Sequence, residues 1–125
     1  MARILIVDDS SFLARKMKSW FESENHEVVA IGTNGIEGEE LYAEHKPDLT
    51  TLDITMPMKD GRECLKSIKK SFPGAKVLMI SALNDKEIVI DCLNEGALGF
   101  IEKPLEFSNP AFCNELRNSI QLALK

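Results

Sequence analysis

The chain has 125 residues, 44% hydrophobic and 28% charged, with a net charge of −5. That length is one domain, able to bury roughly two-thirds of its unfolded surface, and the composition excludes a disordered chain. The excess of acid excludes a basic nucleic-acid footprint, and no apolar run approaches the ~18 residues of a membrane span. The N-terminus enters a strand directly and does not read as a signal sequence.

Taken in chain order, the first element is the apolar run RILIV (3–7), which reads as a strand buried on both faces. It ends on two adjacent acids, Asp8 and Asp9, whose like charges at the rim of a core call for compensation. The segment that follows predicts a helix with Leu13, Met17, Trp20 and Phe21 on one apolar stripe and Arg15, Lys16, Lys18 and Glu22 outside it. EVVAI (27–31), DLTTL (48–52), KVLMI (76–80) and the short GFI (99–101) are four more strands. Helices between them open with Asn34 and Glu37, Asp60 and Glu63, and Asn84 and Glu87, each an N-cap with a capping-box partner three residues on. FPG (72–74) stops the third helix, Gly96 stops the fourth, and Pro110 suits the first turn of the last. Strand and helix alternate five times, the pattern of a parallel sheet with helices on both faces. No linker or repeat interrupts it, so residues 1–125 read as a single domain with no output domain attached.

Ligands of such sheets bind at the carboxyl ends of the strands. Asp8 and Asp9 follow the first strand, Asp53 the third, Ser81 the fourth and Lys103 the fifth. Singly, each has an ordinary explanation: an acid capping a helix, a loop acid, a turn serine, a solvated lysine. Jointly, five polar residues at one sheet edge are hard to assign to coincidence.

The motifs VDDS (Asp8, Asp9), LDITMPMKDG (Asp53, Met56, Pro57, Asp60, Gly61), ISAL (Ser81, Ala82) and GFIEKPL (Phe100, Lys103, Pro104) resemble those of response-regulator receiver domains, in particular the free-standing chemotaxis type. The resemblance covers essentially the whole chain. It implies a flavodoxin-like (βα)5 fold with strand order 2-1-3-4-5, the order for which this family itself serves as an example.

It also implies a signalling protein, not an enzyme beyond catalysing its own phosphorylation and dephosphorylation. A phosphoryl group passes from a histidine kinase or a histidine phosphotransfer protein to Asp53. Mg2+, with Mn2+ able to replace it, is held by Asp9, Asp53 and the backbone carbonyl of Thr55, while Asp8 acts through a bound water. Lys103, Ser81 and the amide of Ala82 contact the phosphoryl group, and Lys103–Pro104 is cis. Ser81 and Phe100 form the switch, which alters the face of the fourth helix, fifth strand and fifth helix toward a downstream target such as the flagellar switch or another effector. A cytoplasmic monomer with no nucleic-acid or membrane partner is expected.

Two positions depart from well-studied chemotaxis receivers. Thr55 and Leu83, each two residues past a site residue, stand where an amide or acid often helps orient an attacking water. A long-lived phosphoryl-Asp53 is the expectation, and Phe100 lacks the hydroxyl of a tyrosine. An aspartate-nucleophile phosphatase would need an acid where Ser10 stands, and a flavin module would not place carboxylates after its first strand. A phosphorelay intermediate and a degenerate receiver that only binds protein are the remaining alternatives. His26 and His45 read as solvated or capping, Trp20 as core, and Lys66, Lys69 and Lys70 as a wet helix face. Phe12 lies off its helix's stripe, beside the acidic pocket, where a phosphodonor's helix could meet it. TNGIEG (33–38) lacks the spacing of a phosphate loop.

Overall fold

In the computed structural model, which describes residues 1–83 and 85–125, the strands are β1 (Arg3–Val7), β2 (Glu27–Gly32), β3 (Leu49–Leu52), β4 (Val77–Ser81) and β5 (Gly99–Glu102). The helices are α1 (Ser11–Ser23), α2 (Gly35–His45), α3 (Gly61–Ser71), α4 (Lys86–Asn94) and α5 (Pro110–Leu124). All strands run parallel in the order β2-β1-β3-β4-β5. The expected fold and order are therefore borne out.

Strand alternation divides the apolar residues of β1 between two cores. Ile4 and Ile6 join Ala14, Met17, Phe21, Leu116 and Ile120 under α1 and α5. Leu5 and Val7 join Leu52, Cys64, Leu65, Ile68 and Met79 under α2, α3 and α4. On β3 the same alternation sends Thr50 beside Leu5 and Thr51 beside Ile6, and both hydroxyls are buried with no hydrogen-bond partner among the described residues. On α1 the buried stripe is Ala14, Met17, Trp20 and Phe21, with Leu13 at its margin. All three cysteines are buried and unpaired, and burial pushes the Cys64 thiol up to about 12. Among the described residues no helix is long and apolar enough to cross a membrane.

The caps follow the sequence with two differences. Asn34 and Asp60 accept the amides of Glu37 and Glu63, at 2.9 and 3.0 Å. The Glu37 carboxylate, however, turns back to Thr33, accepting from its amide and hydroxyl at 2.7 Å each, so the expected box closes one residue early. On α4 it is Asp85 that accepts the Glu87 amide, at 2.9 Å; Asn84, the expected cap, lies outside the described residues. Pro110 opens α5 behind the cap Asn109.

Two surface readings need correction. His26 is half-buried: its Nδ1 accepts the Ala2 amide at 3.1 Å and its ring meets Phe21 edge-on. Burial, then the nearby N-terminal ammonium, holds its pKa below the usual imidazole range. Lys69 does not merely face water. Its ammonium donates to the carbonyls of Pro73 and Ala75, at 2.6 and 3.0 Å, tying off the turn that ends α3.

Candidate functional site

The parallel ladders run one step past the strand ends, and that step places the site. The Asp8 amide donates to Gly32, the Asp53 amide to Val7 and the Lys103 amide to Ser81, at 3.0, 2.9 and 3.0 Å. Each residue is thus registered by backbone hydrogen bonds against a neighbouring strand. Ser10, not either acid, caps α1, its hydroxyl accepting the Leu13 amide at 3.2 Å. That frees both aspartates from the capping role that either could have filled.

One carboxylate oxygen from each of Asp8, Asp9 and Asp53 lies within 4.8 Å of the others. Asp8 and Asp53 are buried, while Asp9 is exposed at the mouth. Asp8 accepts the Ser10 amide on Oδ1 at 2.9 Å, and Asp53 accepts the Ile54 amide on Oδ1 at 2.8 Å. The Lys103 ammonium reaches the other oxygen of both, at 3.0 Å from Asp8 and 3.3 Å from Asp53. One ammonium against three carboxylates leaves two formal negative charges in a pocket largely shielded from water. Burial, and next the charge of Asp8, raises the Asp53 pKa above the usual carboxylate value despite Lys103. For Lys103 burial also disfavours the charge, but bonds and charge from Asp8 and Asp53 outweigh it and raise its pKa.

These donors fit a hard divalent cation. They are oxygen-only, they converge, their formal excess matches the charge of the ion, and the exposed Asp9 leaves room for retained waters. His26, in the turn between α1 and β2, and His45, the last residue of α2, contribute nothing to the cluster.

Ser81 is buried at the end of β4. Its Oγ accepts the Leu83 amide at 3.1 Å, which leaves the hydroxyl proton free to donate. Ala82 and Thr55 are exposed, Leu83 is 42% exposed, and Phe100 is half-buried against the core beneath α2, α3 and α4. The Lys103–Pro104 bond is cis, as the motif implied. Phe12, 66% exposed, stands on the rim of a groove floored by Trp20 and Phe107 and edged by Arg15, Lys16 and Leu105.

The loop after Asp53 is shaped by residues that composition does not reveal. Gly61 donates its amide to Ile54 at 2.8 Å, and a Cβ on Gly61 would fall on the Asp53 carbonyl. Only a glycine lets the start of α3 close so near the acid. Lys59 is a site-flanking residue without a sequence signal. Its ammonium binds Glu39 on α2 at 2.6 Å and Ser67 on α3 at 2.7 Å, partners that only the folded chain brings near.

The comparisons with known proteins agree with this geometry. The chain is 45% identical over 104 residues to the chemotaxis protein CheY of Bacillus subtilis, covering 83% of this chain and 87% of the relative. It is 44% identical over 106 residues to the CheY of Listeria monocytogenes, covering 85% and 89%. Among solved structures, a chain of the CheX–CheY–BeF3–Mg2+ complex from Borrelia burgdorferi superposes with a TM-score of 0.89 at 38% identity, over 98% of this chain and 90% of that one. The response regulator domain of Thermotoga maritima CheB superposes at 0.86 with 38% identity, over 98% and 95%. The model of the response regulator receiver domain matches residues 4–111, and with acids, serine and lysine gathered at one sheet edge the chain belongs to the response-regulator receiver family.

Proposed function

We propose that Asp53 accepts a phosphoryl group from a phosphohistidine of a kinase or phosphotransfer protein, and that the resulting acyl phosphate switches the protein's affinity for a target. One observation carries this reading: Lys103 spans Asp8 and Asp53 in a three-carboxylate cluster that remains two formal charges short of neutral. Asp9, Asp53 and the Thr55 carbonyl would hold Mg2+, with Asp8 acting through a bound water. The exposure of Asp9 and the engagement of Asp8 with Ser10 and Lys103 support that division. Mn2+, equally suited to oxygen donors, fits the same set. When bound, the ion screens the charge of the incoming phosphoryl oxygens.

The chain's own groups do the rest. A carboxylate oxygen of Asp53 bonds to phosphorus as the phosphorus–nitrogen bond breaks, and the imidazole nitrogen of the donor keeps the electron pair. The Asp53 backbone is held on Val7 and its Oδ1 on the Ile54 amide, so the nucleophile is oriented before the donor arrives. Lys103, Ser81 and the Ala82 amide receive the phosphoryl oxygens. Phe12 and the groove behind it suit the apolar and acidic surface of a donor helix, given Arg15 and Lys16 at its edge.

New charge on Asp53 draws the Ser81 hydroxyl away from the Leu83 amide and leaves space that Phe100 fills, which changes the α4–β5–α5 surface. By likeness to the CheY relatives, that surface serves chemotaxis in the cytoplasm through a flagellar-switch-type target. Beyond its own phosphorylation and dephosphorylation the protein turns over no substrate. The test is intact mass after incubation with Mg2+ and a small acyl-phosphate donor. One phosphoryl group is expected on wild type and none on Asp53→Asn or without the metal; an unmodified wild type, or a modified Asp53→Asn, overturns the reading.

A further inference from the structure

Lys59 is the one cation of the 54–60 loop, and its side chain is 22% exposed. Its ammonium donates to Glu39 Oε2 of α2 and to Ser67 Oγ of α3 at 2.6 and 2.7 Å. Its backbone is equally engaged: the Lys59 amide donates to Pro57 at 2.8 Å, across Met58 at a φ of 68°, and the Lys59 carbonyl accepts the Gly35 amide at 2.9 Å. A Cβ on Gly35 would strike that carbonyl, so the first turn of α2 lies directly against the loop. The short segment from Gly32 to Gly35 thus touches both acid-bearing loops. It accepts the Asp8 amide on one side through Gly32 and donates to Lys59 on the other through Gly35.

The remainder of the loop, from Asp53 to Asp60, is anchored at its base by the Gly61 amide on Ile54. Thr55 lies between the two anchors and is exposed. Loss of the Lys59 side-chain tether leaves the base and the Gly35–Lys59 backbone bond in place and removes only the side-chain ties of the outer loop to α2 and α3. A half-exposed ion pair adds little to global stability, so the consequence falls on position more than on folding.

We propose that Lys59 is a positioning residue for the divalent-cation pocket: its tether to Glu39 and Ser67 fixes the 54–60 loop against α2 and so sets the Thr55 carbonyl relative to Asp8 and Asp9. This rests on the reading that Thr55 and the acids face the ion. Supporting groups of this kind tune metal affinity without touching the metal.

The experiment compares wild type with Lys59→Met, Glu39→Gln and the exchanged pair Lys59→Glu/Glu39→Lys. Magnesium binding is followed calorimetrically, and acyl-phosphate labelling of Asp53 is measured across magnesium concentrations. Each single variant is expected to need about three- to tenfold more Mg2+ for half-saturation. Labelling at saturating Mg2+ should stay within about twofold of wild type, and the exchanged pair should recover most of the affinity. Single variants that titrate like wild type overturn the tether, as does an affinity loss that the exchanged pair leaves unrestored or a labelling defect that Mg2+ does not relieve. A wild type that takes up no magnesium fails the functional reading itself, and the tether with it.

Discussion

At Asp53 two opposed pulls meet: burial and Asp8 disfavour its charge, while Lys103 favours it, and the first pair prevails. A carboxyl whose folded pKa is raised contributes fully to stability below its unfolded value of about 3.9 and loses that contribution as pH rises through the folded value. At neutral pH the metal-free protein therefore carries a penalty that an amide would not. Asp53→Asn is expected to raise the metal-free unfolding midpoint by about 3–6 °C, the response of a domain this size to about 1 kcal/mol. Mg2+ should raise the midpoint of wild type and hardly that of the variant; a thermal scan of both with and without the ion checks this. Leu83, two residues past Ser81, carries no polar group and is 42% exposed. Leu83→Glu is expected to speed loss of the phosphoryl group about tenfold by giving the attacking water an acceptor. Following decay of the mass-shifted protein decides it, and equal rates would end the account of a long-lived state.

The site was legible at the residue scale because its members sit where strands end. Asp8, Asp9, Asp53, Ser81 and Lys103 each follow an apolar run, and the topology supplies the convergence. Lys59 and Glu39 have no such marker, since neither terminates a strand and their meeting depends on how α2 lies against α3. The half-buried state of His26 was hidden for the same reason: its partner is the chain's second residue, 24 positions away.

At the scale of the element, β3 is anomalous. It is the central strand of the sheet, flanked by β1 and β4, yet it carries Thr50 and Thr51 where apolar residues would pack. Both hydroxyls lack a partner among the described residues. Thr51→Val keeps the shape and removes the unpaired group, so stability should rise by about 1 kcal/mol. Urea unfolding of the variant checks the sign; a lower midpoint would mean that the hydroxyl is bonded after all. The element boundaries were legible from apolar runs and caps to within a residue or two. The cap of α4 was not, since Asp85 fills that place and the capping-box spacing does not single it out.

At the scale of the whole molecule, contacts distant in sequence close the helical layers over the sheet. Arg117 of α5 grips both carboxylate oxygens of Glu24 at the end of α1, at 2.5 and 3.2 Å, and lies over Trp20. Trp20 stacks on Phe107 in the segment that follows Lys103–Pro104. The N-terminal end of β1 is secured on His26, whose lowered pKa makes the link pH-sensitive. A histidine depressed in the fold contributes fully above its unfolded value of about 6.5 and loses that contribution as pH falls from there through the lower folded value. The urea midpoint of wild type should fall between pH 7.5 and pH 5.0, and by less in His26→Asn, which retains an acceptor but does not titrate. The order of the layers could be anticipated from the alternation of strand and helix. The cross-ties could not, because Glu24 and Arg117 stand 93 positions apart.

Gly61 gives the pocket an uneven tolerance to change. Trimming an atom from most core positions opens a void the surroundings can partly fill, but here one added carbon would land on the backbone of Asp53 itself. A methyl group there would push the start of α3 and Asp53 apart without removing any reactive atom. The protein would keep every functional group and lose their arrangement.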